Sequence, residues 1–217
     1  IALFLTLIIG AGVYANSLQG EYIWDDKDLI LHNAYIKGWS SLPMVLTKDF
    51  FYSSQDTGKI GYYRPVITCS YALDYWLWKL NPVGYHRTNI ILHCFNSLLI
   101  YLILLFLSGS VSISFLSSLF FAIHPIHTES VAWVSERKDV LSTVFFAAAL
   151  IAYLRYQHNR SLVFYGCALA LCILSLLAKA MAINLPWVLL LCDYYKRRPL
   201  NRALLLDKIP FFVCAAV

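Results

Sequence analysis

Long apolar stretches, separated by short polar ones, dominate the hydrophobic pattern of this chain. A helix needs about 20 mostly apolar residues to cross a bilayer, and stretches that meet or approach this length recur along the sequence. The predicted spans cover about 1–18, 88–107, 111–124, 140–157, 162–181 and 183–195. The third and sixth are short, which favours tilted or broken helices, and a seventh is expected to begin near Ile209.

The region between the first two spans, about 19–87, contains two shorter helical patterns. One consists of apolar residues at helical spacing, and the other is Val66–Leu80, which is rich in Tyr and Trp. The first pattern comprises Trp39, Leu42, Val45, Leu46 and Phe50. Because aromatic side chains concentrate at headgroup depth, we expect two interfacial helices on the membrane face.

The composition supports a membrane protein. Hydrophobic residues make up 60% of the chain and charged residues 13%. A soluble domain carries about 25% charged residues, roughly twice that share. The net charge of +5 is explained by the positive-inside rule without a nucleic-acid partner. None of the six cysteines forms a CxxC pair, so neither a disulfide framework nor a zinc site is indicated.

Charged residues are distributed unevenly along the predicted topology. Ten of the twelve acidic residues, all but Asp193 and Asp207, fall in or beside the segments 19–87 and 124–139. Basic residues instead bracket the turn after the fourth span and follow the sixth, which is typical of cytoplasmic ends. The pattern therefore predicts a cytoplasmic N-terminus and two external or lumenal segments. The basic residues are Arg155, Arg160, Lys196, Arg197, Arg198 and Arg202.

The chain begins at Ile1 and stops at Val217 within an apolar run, so we expect a fragment of a longer protein, truncated at the C-terminus. We expect the first apolar segment to be retained as a span, with a cleaved signal peptide as the alternative.

The first candidate for chemistry is the pair Asp25 and Asp26, shortly after the first span. Adjacent carboxylates at a membrane surface need solvent, a partner or a cation. One of them could deprotonate an acceptor hydroxyl while the other orients it or holds a divalent cation. A solvated loop, with Asp26 or Asp28 capping a short helix at Leu29, is the alternative.

The basic candidates are Arg64, Arg137, Lys138 and Lys179. Arg64 precedes Pro65 at the start of the second interfacial helix, where a guanidinium and free N–H groups suit a phosphate. Arg137 and Lys138 are predicted to face outward, either to hold a lipid phosphate or to pair with nearby acidic residues. An isolated Lys179 at the end of an apolar span indicates function, with snorkelling to the headgroups as the alternative.

His127 and Glu129 form a further candidate, either as an acid/base pair or as cation ligands. The stretch His124-Pro125-Ile126-His127 is weak as a metal signature because no third ligand is evident. His124 can instead satisfy carbonyl groups that Pro125 leaves free.

Several stretches resemble the GT-C class of membrane glycosyltransferases, most closely the transmembrane O-mannosyltransferases with tetratricopeptide repeats and their bacterial relatives. The most specific match is HPIHTE (residues 124–129); Leu141-Ser142 and Ala178-Lys179 follow in the family's order. The other matching stretches are Trp24-Asp25-Asp26, Tyr63-Arg64-Pro65, Tyr85-His86-x-x-Asn89 and His93, and Phe121-Ala122.

The resemblance implies an all-α polytopic membrane protein, a GT-C-type transmembrane helix bundle with a long external loop of interfacial helices. It implies transfer of a hexose such as mannose from a polyprenyl-phosphate donor to a protein or other hydroxyl acceptor on the external face. The acidic catalytic motif would fall on Asp25 and Asp26, with Asp25 preferred as base. By analogy with the related aminoarabinose transferases, Arg64 would bind the lipid phosphate, helped by Lys179 or Arg137.

The resemblance implies no required cofactor and leaves a divalent cation optional. The partners would be the lipid-linked sugar, a protein or glycan acceptor and membrane lipids, in the bacterial inner membrane or the endoplasmic reticulum. Where the family usually has Lys-Glu, this chain has Lys179-Ala180, which puts a role for that acidic position in doubt. Tetratricopeptide repeats are absent from the sequence.

Two other functions compete with this interpretation. A transporter or lipid flippase would carry polar residues near the middle of its spans, whereas here they gather at one face. A noncatalytic membrane scaffold gives no reason for acidic and basic groups to cluster in the two external segments.

Overall fold

The computed structural model describes residues 2–48, 50, 62–199 and 201–216. These residues form helices joined by turns, and no strand occurs among them. The α-helices are α1 (Ala2–Val13), α2 (Leu42–Val45), α3 (Pro65–Trp78), α4 (Pro82–Ser108), α5 (Val111–Ile123), α6 (Thr128–Ala132), α7 (Arg137–Asn159), α8 (Leu162–Ala178), α9 (Leu185–Tyr195), α10 (Arg202–Leu206) and α11 (Ile209–Ala216). The predicted all-helical class is confirmed for the described residues.

Local sequence signals set the ends of the long helices. Asn81 precedes α4 and its side chain accepts a hydrogen bond from the Val83 N–H at 3.1 Å, with Pro82 in the first turn. Gly109 ends α4 in the left-handed conformation (φ +68°), which glycine adopts without a Cβ penalty. Ser110 then caps α5 through the Ile113 N–H, so α4 and α5 form an antiparallel pair.

The core of the bundle is formed by α4, α7 and α8. Helix α7 packs along both of the others, while α1 packs against α4 and α5. Small polar side chains bond across these interfaces: Asn96 donates to the Val140 carbonyl at 2.8 Å, and the Ser142 hydroxyl donates to the Ser175 carbonyl at 3.1 Å. Such contacts are typical of helix packing in membranes.

Among the described residues, two helices are long and apolar enough to cross a membrane, namely α4 and residues Val134–Asn159, which include α7. A third candidate is the pair Val111–Ile123 and Pro125–Ala132, which is bent by 46°. Helices also occur at the other predicted spans, but α1, α8 and α9 are shorter apolar helices. The chain is therefore a helical membrane protein, while the six-span topology stays a prediction.

Of the two helices expected between the first two spans, one is present and one is much shorter than its pattern suggests, while their interfacial position stays a prediction. Helix α3 covers nearly all of Val66–Leu80, whereas α2 has only four residues and follows a 3-10 turn, Trp39–Ser41. Phe50 lies beyond α2, and its N–H donates to the Tyr62 carbonyl at 2.7 Å. Phe50 is therefore buried, as its pattern predicts, but it is not part of the helix. Residues 51–61 lie outside the described residues.

A buried charge cluster ties together the end of the bundle that contains the C-terminus of α7. Asp193 in α9 is 1% exposed and pairs with Lys208 at 2.5 Å and with Arg198 at 2.9 Å. Tyr153 in α7 donates to the same carboxylate at 3.1 Å. These contacts fix α9 and the segment before α11 against α7.

Candidate functional site

The Trp24-Asp25-Asp26 motif forms a tight turn after the short 3-10 helix Ala15–Gln19. Trp24 has φ +43°, a conformation that is strained for a bulky side chain and that recurs at functional sites. The Asp25 side chain is half-buried, and among the described residues it has no hydrogen-bond or ion-pair partner. The turn therefore presents one free carboxylate.

Asp26 is the anchor of this turn. Its side chain is fully buried, and one oxygen accepts a hydrogen bond from the Ile23 N–H at 3.1 Å. The other accepts from the Ser135 N–H at 2.8 Å and from the Ser135 hydroxyl. We term these bonds to Ser135 the Asp26–Ser135 clamp. Asp26 precedes a π-helical turn, Lys27–Leu31, without making a capping bond to it.

The environment of Asp26 shifts its acidity. Burial raises the pKa of this carboxyl, and the hydrogen bonds from Ser135 and Ile23 lower it by less. The group therefore holds its proton more strongly than an ordinary aspartate.

Arg137, the first residue of α7, is the centre of a second buried network. The guanidinium is 0% exposed and forms an ion pair with Asp74 at 2.5 Å. It also donates to the Asn89 side chain at 2.8 Å and to the Tyr85 carbonyl at 3.0 Å, and lies over the Tyr71 ring at 4.9 Å. These contacts link α3, α4 and α7, and they give Tyr85 and Asn89 of the Tyr85-His86-x-x-Asn89 motif a structural role.

Lys138 lies beside the Trp24-Asp25-Asp26 turn. Its ammonium pairs with Glu136 and lies over the Trp133 ring at 5.6 Å. Trp133 in turn makes an edge-to-face contact with Trp24 at 5.1 Å. The internal pairing considered for the Ser135–Asp139 stretch thus exists for Lys138, although Arg137 pairs with α3 instead.

Lys179 follows α8 in an extended conformation and pairs with Asp139 of α7. The other Asp139 oxygen accepts from the Ser130 hydroxyl at 3.2 Å. The ion pair is partly exposed, because the side chains are 24% and 31% accessible. Lys179 therefore extends the polar surface from α7 towards the end of α8.

His127 lies in an aromatic cluster, with its ring 4.5 Å from Phe121 and 5.4 Å from His93. Glu129 is exposed in the first turn of α6. His124 caps the turn by accepting from the Ile126 N–H at 3.2 Å. Within residues 2–48, 50, 62–199 and 201–216, no group of three or more His, Cys, Asp or Glu side chains is arranged to hold a metal ion.

Arg64 lies at the N-terminus of α3 and over the Tyr62 ring at 4.8 Å. Together with Tyr62 and Tyr63 it lines a cavity of about 900 Å³, whose opposite wall is formed by α8, α11 and the turn between α8 and α9. This wall is mainly apolar: Ile173, Leu176, Leu177, Ala180, Ile183, Val213, Cys214, Ala215 and Ala216. A cation thus lines one side of a large, mainly apolar cavity.

The hydrophobic cluster beneath the site connects these parts. It includes Leu29 and Ile30 just after the aspartates, Ile67 one turn after Arg64, and Val134 beside Ser135. The aspartate turn, the α3 N-terminus and the start of α7 therefore share one buried support.

Sequence reasoning missed Asp74 and Ser135 as elements of the site, and it noted Asn89 in a matching motif without giving it a role. Asp74 carried a usable signal, because it is the single charge in the middle of an aromatic helix. Ser135 carried no signal, because its partner Asp26 lies 109 residues away in the chain.

Comparison with curated proteins found relatives over most of the chain. Protein O-mannosyl-transferase Tmtc1 of Drosophila melanogaster is 33% identical over 182 residues, 83% of this chain and 21% of that protein. Protein O-mannosyl-transferase F38B6.6 of Caenorhabditis elegans is 33% identical over 192 residues, 85% of this chain and 27% of that protein. Human Protein O-mannosyl-transferase TMTC3 is 36% identical over 157 residues, 70% of this chain and 17% of that protein.

The chain thus spans between about a sixth and a quarter of the length of these relatives. No protein-family model matches the sequence, and no solved structure matches it. The relatives confirm the resemblance to the O-mannosyltransferases that the motifs indicated, while the GT-C class stays a prediction.

Proposed function

The chain belongs to the protein O-mannosyl-transferase family, and on that premise we propose that it forms the catalytic membrane module of a polyprenyl-phosphate-dependent mannosyltransferase. The observation that carries the proposal is the free Asp25 carboxylate, held on a strained turn by the Asp26–Ser135 clamp. A GT-C-type bundle, a cytoplasmic N-terminus and an active site on the external or lumenal face are parts of this proposal.

In the proposed reaction, Asp25 is the general base. It accepts the proton of a protein hydroxyl as the hydroxyl oxygen forms a bond to the anomeric carbon of the sugar. The bond between that carbon and the phosphate oxygen breaks, and the polyprenyl phosphate leaves with the electron pair. Attack on the face opposite the leaving group inverts the anomeric centre. Asp26 positions the base and does not itself touch the substrate.

Arg64 is proposed to bind the lipid phosphate as its charge increases in the transition state. The apolar cavity beside Arg64 suits the isoprenoid chain, because its wall offers aliphatic side chains from α8 and α11. Lys179 adjoins the cavity through Leu177 and Ala180, and it could add a second positive charge if its bond to Asp139 opens.

Arg137, Lys138, His127 and Glu129 have subordinate places in the proposal. Arg137 is buried and paired with Asp74, and Lys138 is paired with Glu136. These contacts favour a role in positioning residues 124–139 over direct binding of the phosphate. His127 and Glu129 are candidates for acceptor recognition near this surface. The mechanism requires no divalent cation.

The test uses the full-length protein in membrane vesicles with radiolabelled polyprenyl-phosphate mannose and a protein acceptor. We expect Asp25→Asn to lower the transfer rate by about 10²-fold or more, as for loss of a general base. Asp28→Asn is the matched control, because Asp28 follows closely in the chain, is partly exposed and pairs only with His32 at 3.1 Å among the described residues. The control should transfer at the wild-type rate.

Arg64→Gln should raise the KM for the lipid donor more than it lowers kcat, with Arg87→Gln as the control for an exposed cation at the same end. Equal transfer by wild type and Asp25→Asn, at equal expression, would remove the base assignment. Absence of transfer in the wild type would return the transporter and scaffold functions to consideration.

A further inference from the structure

A pocket lined by basic side chains lies at the end of the bundle opposite the Asp26–Ser135 clamp. Its volume is about 440 Å³, and it lies between the C-terminal ends of α4, α7 and α9. None of the described residues that line it is acidic. Its basic lining residues are Arg155, His158, Arg160, Lys196 and Arg198.

One of these cations is already neutralised. Arg198 pairs with Asp193 at 2.9 Å and with Asp207 at 3.6 Å, so it belongs to the buried charge cluster of this end. It forms a fixed wall of the pocket and leaves ligand binding to the other cations.

Arg155, Arg160 and Lys196 have no acidic partner within ion-pair distance among the described residues. The Arg155 guanidinium lies over the Phe106 ring at 4.6 Å, and Arg160 lies over the Tyr156 ring at 5.8 Å. Stacking on an aromatic face orients a guanidinium and leaves its N–H groups free for an anion.

Lys196 is oriented by the end of α4. Its ammonium donates to the Phe106 carbonyl at 2.6 Å and to the Leu107 carbonyl at 3.4 Å. An ammonium has three donors, so one remains for a ligand. The pocket therefore holds three positive charges, from α7, the turn after α7 and the end of α9, each with donors to spare.

The expected position of the pocket across the membrane indicates its ligand. Helices α4 and α7 are about 40 Å and about 34 Å long at roughly 1.5 Å per residue, enough to cross the hydrocarbon core and bring their ends to the headgroups. Basic pockets between spans bind acidic headgroups at this depth. The apolar parts of Phe106 and Leu154 in the lining favour a lipid over a free anion.

We propose that this pocket binds the phosphate group of an anionic phospholipid, in the leaflet opposite the candidate active site. In the predicted topology this is the cytoplasmic leaflet. The ligand is separate from the lipid-linked sugar donor, which the proposed function assigns to the other end of the bundle.

The test compares the full-length wild type with two double variants of equal charge. Arg155→Gln/Lys196→Gln removes two pocket cations, while Arg197→Gln/Arg202→Gln removes two exposed cations at the same end. Each protein is purified in detergent and titrated with phosphatidylglycerol, with phosphatidylcholine as the neutral lipid and inorganic phosphate as the free anion. Native mass spectrometry counts the bound lipids.

We expect the affinity of the pocket variant for phosphatidylglycerol to be at least about tenfold lower than that of the wild type, because the variant lacks two cations that attract the anionic headgroup. The control should retain wild-type binding, and inorganic phosphate should not displace the lipid. Equal loss in both double variants, or no loss in the pocket variant, would overturn the proposal.

Displacement of the lipid by inorganic phosphate would overturn the assignment to a phospholipid. Unfolding temperatures in phosphatidylcholine check that all variants fold. If the double variant unfolds early, the single variants Arg155→Gln and Lys196→Gln are compared instead, and unchanged phosphatidylglycerol binding in both would again overturn the proposal.

Discussion

At the scale of single residues, two adjacent aspartates have very different surroundings. Asp26 is buried and accepts hydrogen bonds from Ile23 and Ser135, while the Asp25 carboxylate is half-buried without a partner among the described residues. The strained conformation of Trp24 immediately precedes the pair. Because Asp26 anchors the turn and Asp25 is the proposed base, substitutions at the two positions should have different effects.

The first prediction concerns pH. Because burial raises the pKa of Asp26, the folded protein keeps this proton at a higher pH than the unfolded chain, in which an aspartate titrates at about pH 4. The stability that Asp26 contributes is therefore largest below the unfolded pKa and falls as pH rises through the folded pKa. Asp26→Asn should flatten the dependence of the unfolding temperature on pH in this acidic window.

Ser135→Ala is the companion variant. It removes a hydroxyl donor that lowers the pKa of Asp26, so the fall in stability should move to higher pH. An unchanged pH profile in Asp26→Asn, or a shift to lower pH in Ser135→Ala, would contradict the assignment.

The second residue-scale prediction concerns the Arg137 network. Arg137→Met leaves the buried Asp74 carboxylate without its ion-pair partner and should cost about 3–5 kcal/mol of unfolding free energy. Adding Asp74→Asn removes the uncompensated charge and should restore most of that loss. Chemical unfolding in detergent measures both effects, and a double variant no more stable than Arg137→Met would refute the pairing.

At the scale of elements, the sequence predicted helices better than their contacts. Helix α3 was predictable because its aromatic pattern is local, and α4 because its second half is a long apolar run. The pattern ending at Phe50 overestimated α2, because Phe50 is buried outside the helix and its N–H bonds to the Tyr62 carbonyl, a partner that helical spacing does not reveal. The Asp26–Ser135 clamp was hidden for the same reason, since periodicity records which face is buried and not what it contacts.

Helices α3 and α4 meet closely at Gly84, which gives the third prediction. A Cβ at Gly84 would overlap the Trp78 indole at the end of α3, so the two helices pack closely only because residue 84 is glycine. Gly84→Ala should therefore lower the unfolding temperature. Gly166→Ala in α8 is the control, because nothing lies within 4 Å of its added Cβ. Alanine stabilises a helix by about 1 kcal/mol relative to glycine, so helix propensity alone would not lower the unfolding temperature of either variant. Equal destabilisation of both variants would contradict the close packing.

At the scale of the whole molecule, the two candidate spans point in the same direction. Asn89, in the first half of α4, contacts Arg137 at the start of α7. Phe106, near the end of α4, contacts Arg155 near the end of α7. Helices α4 and α7 therefore run parallel. One end of the bundle carries the aspartate turn, and the other carries the basic pocket. This polarity is the physical basis of the proposed orientation.

The fourth prediction tests that polarity. In a background without the native cysteines, Leu80→Cys before α4 and Asn159→Cys at the end of α7 should be labelled from opposite sides of the membrane. A membrane-impermeant maleimide applied to intact and then to opened vesicles makes the comparison, since both positions are exposed. Labelling of both from the same side would refute the parallel arrangement of the two spans.

The Asp26–Ser135 clamp also has a consequence for biosynthesis. Ser135 follows Asp26 by 109 residues, so the ribosome adds the second partner long after the first. At ordinary elongation rates the delay is on the order of 10 s. During that interval Asp26 has the local bond from the Ile23 N–H but lacks both bonds from Ser135. The nascent chain therefore acquires the geometry of its proposed base only after α4 and α5 have been synthesised, so a stalled or shortened product would carry the acidic motif without its arrangement.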